Sequence, residues 1–224
     1  MSDTCATYRA VIRSLEQTAA AAGRAADEIE LLAVSKRQSV TSIRELAACG
    51  QNAFGENYLQ EAQNKIRDLS DLSLSWHFIG PLQSNKAQEA SRLFDWVHSV
   101  DREKIATKLN AGRASMATPL NVCIQVNISE EKTKSGVPPS AVGEFVRIFD
   151  DLPNLKLRGL MALPAPNADP VEQRAAFASV RELYTETFAS PVDTLSIGTS
   201  QDYRAAIQEG ATIVRIGTAL FGER

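Results

Sequence analysis

Short β-rich runs alternate with helical patterns along nearly the whole chain, and there are eight of them. They are IELLAVSK (29–36), NAFGEN (52–57), SWHFIG (75–80), WVHSVD (96–101), LNVCIQVNI (120–128), LKLRGLMAL (155–163), DTLSIG (193–198) and TIVRIGTAL (212–220). Each has a short, nearly continuous apolar core, as parallel strands covered on both faces do. In the intervening VTSIRELAACG, Val40, Ile43, Leu46 and Ala47 recur at helical spacing, and Gly50 and Gly210 stand where helix-ending glycines are expected. The segments SNKAQEASRLF, DREKIATKLNAG, PSAVGEFVRIFDDL and EQRAAFASVRELYTETF are also helical in pattern, and a further helix around Thr7–Ala22 precedes the first strand. No Ser/Gly/Pro-rich linker divides the chain, so residues 1–224 read as one domain. Eight β units alternating with helices over about 200 residues is the count of an α/β fold of the (β/α)8 TIM type, here with an extra N-terminal helix. An open doubly wound sheet would show the same alternation, but the Gly-rich fingerprint common in such sheets is absent.

Charge and cysteine content narrow the function classes. Twenty-four Lys and Arg against 27 Asp and Glu give a net charge of −3, which removes the bulk electrostatic case for nucleic acid or an anionic membrane. The N-terminus has no apolar signal core and no long apolar run follows, so a soluble, cytoplasmic chain is expected. Cys5, Cys49 and Cys123 are odd in number, widely spaced and form no CxxC. That pattern predicts a reduced intracellular protein and no disulfide scaffold. The two histidines, His77 and His98, sit in no metal-ligand pattern, and the common nucleotide and hydrolase signatures are missing.

In a barrel, chemistry gathers at the C-terminal ends of the strands, with phosphate commonly held after strands seven and eight. By that rule Lys36, Glu56–Asn57, Gly80 and Asp101 end the first four strands, and Met161 lies near the end of the sixth. Gly198–Thr199–Ser200 and Gly217–Thr218 close the last two. Glycine backbone, the hydroxyls of Ser200 and Thr218 and a nearby helix start make a plausible phosphate cradle, although Ser200 also suits a plain helix N-cap. In TIVRIG, two-residue alternation puts Ile213, Arg215 and Gly217 on one face, so Arg215 points into the barrel mouth. A buried guanidinium needs an acceptor, either a carboxylate such as Glu56 or Asp101 or an atom of a ligand. A desolvated Lys36 amine can form an imine with an aldehyde. Amine, inward arginine and phosphate cradle together match the needs of pyridoxal 5′-phosphate (PLP).

The segments LLAVSK, FGENYLQEA, WHFIGPLQSNK, HSVD, VNISEEKTKSGV, GLMALPAP, LSIGTSQDYRAAI and VRIGTALFG occur in order from about residue 30 to 222. With them the sequence resembles the single-domain pyridoxal-phosphate homeostasis proteins, relatives of the alanine racemase barrel domain. The resemblance implies a fold-type III PLP-binding barrel in which Lys36 is the Schiff-base lysine and Asn57 lies beside the cofactor ring. It further implies that Ser200, Gly217 and Thr218 hold the phosphate and that Arg215 faces the pyridine nitrogen. Arg37–Gln38 and GTSQD depart from the family's commoner Thr–Lys–Pro and GMSxD, without removing a proposed ligand.

Relatives are implicated in intracellular vitamin B6 homeostasis, so the resemblance implies a monomeric PLP carrier or regulator that meets apo-enzymes transiently. A cationic Arg215 would weaken the ring as an electron sink, and the chain is expected to lack the second domain from which racemases draw another acid/base. Among the tyrosines only Tyr58 falls near the mouth, where packing on a helix is the expected role. Two alternatives stay open: a low-rate PLP-dependent amino-acid racemase or related enzyme, and a phosphosugar isomerase barrel without PLP. Lys86 and Lys134 are expected to be solvated loop lysines rather than a second phosphate site.

Overall fold

The computed structural model describes residues 3–129, 135–188 and 192–222. Eight strands run in it: β1 (Glu30–Val34), β2 (Ala53–Glu56), β3 (Ser75–Phe78), β4 (Trp96–Val100), β5 (Leu120–Val126), β6 (Leu155–Ala162), β7 (Thr194–Thr199) and β8 (Ile213–Ile216). They pair in chain order, all parallel, and β1 closes on β8 from Glu30↔Ile213 to Ala33↔Ile216. That closure decides against the open sheet.

Around the barrel lie α1 (Asp3–Ala21), α2 (Val40–Ala48), α3 (Leu59–Asp68), α4 (Ala87–Leu93), α5 (Glu103–Arg113), α6 (Val142–Arg147), α7 (Pro170–Thr187), α8 (Tyr203–Gln208) and α9 (Thr218–Phe221). Gly50 and Gly210 follow α2 and α8 as expected. Three features differ from the sequence reading. The eighth strand stops at Ile216, because Gly217 turns the chain and TALF winds one helical turn that seats Leu220 in the core. The segment PSAVGEFVRIFDDL breaks into α6 flanked by 3-10 turns. Helix α3 carries a weak apolar stripe, Leu59, Ala62 and Ile66, because its buried face also holds a lysine, Lys65.

The larger apolar core lies between strands and helices, with Leu31, Phe54, Phe78, Val97, Ile124, Leu160, Ile197 and Val214 as its strand side. A smaller apolar cluster, Leu32, Ala53 and Ile213 with Ile79 against it, comes from the alternate residues that point into the barrel. Further inward residues of β3, β4, β7 and β8 are polar and buried, His77, His98, Ser196 and Arg215, with Trp96 of β4 stacked on His77. The barrel interior therefore carries a small apolar cluster and, apart from it, a row of buried polar groups. Register shifts in β4, β6 and β7 adjust which residues face inward. In β7 the extra residue falls where Gly198 has φ +91, and a Cβ there would lie 2.6 Å from the Ala206 side chain. Only glycine permits this bend, and it re-aims Thr199 and Ser200.

Helix α1 packs on α2, α8 and α9. Tyr203 Oη and Ser14 Oγ are 2.8 Å apart, and Arg24 donates to the carbonyls of Ile207 and Ala211. The cysteine expectation is corrected here: Cys5 on α1 and Cys49 after α2 form a disulfide, Cα–Cα 5.3 Å, and only Cys123 is free and buried. Two cysteines 44 residues apart meet because α1 lies along α2, which spacing alone does not reveal. Among the described residues, no helix is long and apolar enough to cross a membrane and no His/Cys/Asp/Glu group is placed to hold a metal.

Closing a loop of this length restricts the unfolded chain by about 2–4 kcal/mol. Denaturant unfolding of the oxidised protein should therefore shift to lower denaturant on adding reductant, while Cys49→Ser unfolds early with or without it. Equal midpoints for oxidised and reduced wild-type protein would show that the bond contributes no stability.

Candidate functional site

Two neighbouring cavities open at the C-terminal ends of the strands, about 250 and about 480 Å³ in volume, with Leu163, Thr199, Gln201 and Arg215 as their common wall. Lys36, Asn57, Ser200, Arg215, Gly217 and Thr218, the six residues singled out in the sequence, all line the smaller one. Strand pairing explains this: β1 and β8 are neighbours, so the loop carrying Lys36 adjoins the turn at Gly217.

Lys36 sits two residues past β1, half-buried, in a loop clamped on both sides. On one side, buried Lys65 donates to the Ser35 carbonyl at 2.7 Å, and Ser35 Oγ donates to Glu56 Oε1 at 2.7 Å. On the other, the Arg37 N–H donates to Glu61 Oε1. Lys65 ties the two carboxylates together, 2.7 Å from Glu56 and 2.6 Å from Glu61. Arg37 is the one non-glycine residue at positive φ, +61°, among those described, and the clamp offsets a local cost of roughly 1–2 kcal/mol. Burial pushes the Glu56 carboxyl up from its ordinary pKa, against the pull of its hydrogen bonds to Lys65 and Ser35.

Arg215 is buried and enters the mouth as two-residue alternation predicts. Its Nη1 donates to the carbonyl and the hydroxyl of Ser196, and its Nη2 to the Ala162 carbonyl at 2.9 Å. Neither Glu56 nor Asp101 is its acceptor: Glu56 faces Lys65 on the outer side of β2, and Asp101 lies 3.4 Å from Arg102. Desolvation lowers the guanidinium pKa to about 10, which still leaves it cationic at neutral pH. All of its hydrogen-bond acceptors among the described residues are neutral; the Asp202 carboxylate acts on it only through space and accepts instead from Thr199, so no hydrogen-bonded carboxylate takes up its charge.

The helix-cap alternative for Ser200 also fails. The residue preceding α8 is Asp202, whereas Ser200 Oγ accepts from the Gly217 N–H at 3.3 Å. That bond joins the turns after β7 and β8 into one corner. A Cβ on Gly217 would come 3.3 Å from the Val34 carbonyl, so the corner is built for close approach. Thr199, the departure from the family pattern, donates to Asp202 Oδ1 through both N–H and hydroxyl. Asn57 is held where Gly80 packs on its backbone; a Cβ at Gly80 would lie 2.1 Å from the Asn57 carbonyl. Its Oδ1 is buried without a hydrogen-bond partner, an acceptor of the kind that a ligand satisfies.

The sequence reading missed the Lys65–Glu61 clamp, and weighed Glu56 only as an acceptor for Arg215. It also missed Ser196, which alternation in LSIG would have placed inward beside Arg215. Tyr58 is half-exposed at the start of α3 and lines neither cavity. Lys86 is exposed and pairs with Glu89 at 3.2 Å; Lys134 lies outside the described residues. In sum the smaller cavity joins a half-buried amine to a fixed cation and a corner of hydroxyls and glycine backbone, which suits a small carbonyl compound bearing an anionic group.

Removing one partner of a buried ion pair strands the other. Lys65→Met should therefore destabilise the fold at neutral pH by about 3–5 kcal/mol, and adding Glu56→Gln should restore much of it. Glu56 already binds its proton more tightly folded than in the unfolded chain, where its pKa is about 4.3. The deficit of Lys65→Met should thus be smallest below about pH 4 and grow as pH rises through the elevated Glu56 value. Denaturant unfolding across that range checks it, and a loss independent of both pH and Glu56→Gln would contradict the clamp.

The sequence profile of the alanine racemase N-terminal domain matches residues 10–224. A pyridoxal phosphate homeostasis protein of Pseudomonas aeruginosa is 51% identical over 224 residues, which is 100% of this chain and 97% of that protein. The solved structure of PipY from Synechococcus elongatus with PLP bound is similar at a TM-score of 0.81 and 36% identity, over 93% of this chain and 99% of that one. Alanine racemase from Corynebacterium glutamicum, at 19% identity and a TM-score of 0.71, shares the fold over 98% of this chain and 61% of its own.

Proposed function

This chain belongs to the alanine racemase N-terminal domain family and, within it, to the pyridoxal phosphate homeostasis proteins, and from that premise we propose that it binds PLP in the smaller cavity as a carrier or regulator of intracellular PLP rather than as a catalyst. The observation that carries the reading is one cavity that gathers Lys36, Arg215 and the Ser200–Gly217–Thr218 corner.

The residues present fit the cofactor. Ser200 and Thr218 donate from their hydroxyls to the phosphate, and Gly217 lets the backbone approach it. Arg215, with only neutral acceptors of its own, donates to the ring nitrogen. Asn57, on the wall of the same cavity, would offer its unsatisfied Oδ1 as an acceptor to the bound cofactor. Lys36 supplies the amine for a Schiff base with the aldehyde, and the clamp on Ser35 and Arg37 fixes where that amine emerges. Bound PLP supplies an electron sink, whose strength depends on protonation of the pyridine nitrogen. Arg215 remains cationic and disfavours a proton there, so carbanion chemistry is poorly supported. Among the described residues lining this cavity there is no histidine, tyrosine or carboxylate to act as a second acid/base. In this reading the protein acts as a monomer in brief contact with apo-enzymes.

Borohydride reduction of the PLP-loaded protein followed by peptide mapping should place pyridoxyl on Lys36; label confined to Lys86 or Lys134 would refute the assignment. Ser200→Ala removes one hydrogen bond to an anion, so PLP affinity should weaken roughly ten- to a hundredfold. Unchanged affinity would exclude Ser200 from the phosphate corner. The loaded protein should racemise or deaminate no amino acid at ordinary enzyme rates, about 1–10³ s⁻¹, and should pass PLP to an apo-enzyme faster than it releases it spontaneously. Chiral and keto-acid analysis over an amino-acid panel, run beside a transfer assay, separates carrier from enzyme.

A further inference from the structure

The two histidines of the chain both lie inside the barrel, buried, in the polar row that ends at Arg215. Ser75 Oγ is 3.0 Å from His77 Nε2, and His77 Nδ1 is 3.0 Å from His98 Nε2. His98 Nδ1 is then 2.9 Å from Ser196 Oγ, which lies 2.8 Å from Arg215 Nη1. The file thus runs from the entry of β3 to the guanidinium at the mouth.

Its proton order follows from the guanidinium, which can only donate. Ser196 Oγ accepts from Arg215, and its own proton needs an acceptor because the side chain is fully buried. His98 Nδ1 is the one acceptor in reach among its hydrogen bonds, so that nitrogen is bare. The proton of His98 is then on Nε2 and points to a bare Nδ1 of His77, whose Nε2–H points to Ser75, half-buried at the file's far end. The reverse order would strand the Ser196 proton in the core and aim a chain of N–H dipoles at a cation. Every hydrogen in the order given points away from Arg215.

The surroundings keep both rings neutral. His77 stacks on Trp96 at 5.3 Å, Trp96 lies under the Arg158 guanidinium at 4.5 Å, and Arg158 is paired with Asp193. Besides each other, the charged group acting on the rings is Arg215, which itself feels the Asp202 carboxylate and the buried Cys123 thiol, and no carboxylate hydrogen-bonds to either ring. Burial pushes His77 down to about 3 and His98 well below its ordinary value.

We propose that His77, His98 and Ser196 are positioning residues for Arg215, a neutral relay with both protons on Nε2 that holds the guanidinium in one pose without neutralising it. A carboxylate in place of Ser196 would hold the same pose but cancel the charge the ligand meets. The relay is a property of the folded chain; its effect on the ligand rests on the PLP reading.

Histidine-selective ¹⁵N labelling gives two spin systems, and two-bond ¹H–¹⁵N correlation spectra of the unloaded protein assign each tautomer. Both rings should carry their proton on Nε2, unchanged from about pH 5.5 to about pH 8.5, a range spanning the free imidazole pKa of about 6.5. A proton on Nδ1 of either ring, or titration within that range, overturns the relay. In PLP titrations, His98→Leu and Ser196→Ala should each weaken affinity about three- to tenfold and shift the absorption band of bound PLP alike, with the double variant no worse than either. His98→Asn, whose Oδ1 can take the place of Nδ1 as acceptor, should stay within about twofold of wild type. Wild-type affinity and band in His98→Leu would overturn the positioning role while leaving PLP binding intact. A wild-type protein that binds no PLP would instead sink the functional reading, and the histidine spectra would still decide the relay.

Discussion

Hydrogen bonding between β1 and β8 turns a ribbon of eight strands into a closed surface, and the functional side chains inherit their positions from that closure. Leu32 pairs with Arg215 across the seam and Ala33 with Ile216, so the chain leaves the two strands side by side. One exit carries Lys36 and the other carries Gly217 and Thr218. Without the seam those residues would lie at opposite edges of an open sheet, with two unpaired edges to protect. Closure also creates an interior, and with it the need to hydrogen-bond every polar group placed there.

The chain meets that need differently at two of its buried cations, Lys65 and Arg215. Lys65, in the helix layer, is met by two carboxylates and a carbonyl, an arrangement that leaves little charge for anything else. Arg215, inside the barrel, is met by two carbonyls and a hydroxyl. Both are buried against the same solvation penalty, but only the second keeps a field at the cavity wall. The first cation fixes backbone, and the second faces the space in which a ligand would sit.

Much of this was legible in the sequence. The strand count rests on apolar cores that survive any packing detail, and two-residue alternation gave the inward face of Arg215 because β8 is regular over Ile213–Ile216. What failed to show depends on contacts remote in sequence. Helix α3 hid its period because a buried lysine occupies an apolar position, and the lysine is tolerable there because Glu56 arrives from β2 to join Glu61, one turn earlier on the same helix. Ser200 suited a helix cap as well as a phosphate cradle; the bulge at Gly198 and the late start of α8 carry it to Gly217. The histidines looked inert because no metal pattern surrounds them; their partners, Ser75 and Ser196, lie 2 and 98 residues away. The disulfide depended on how α1 lies along α2, which no local pattern encodes.

That disulfide makes residues 5 to 49 a covalent ring, and Lys36 lies within it. The ring threads most of α1, all of β1, the clamped loop and all of α2. A single backbone cut inside a ring opens it without releasing a piece. The oxidised chain can therefore be nicked on either side of Lys36 and still carry that amine on a continuous covalent path to the rest of the barrel, whereas in the reduced chain the same nick divides it in two.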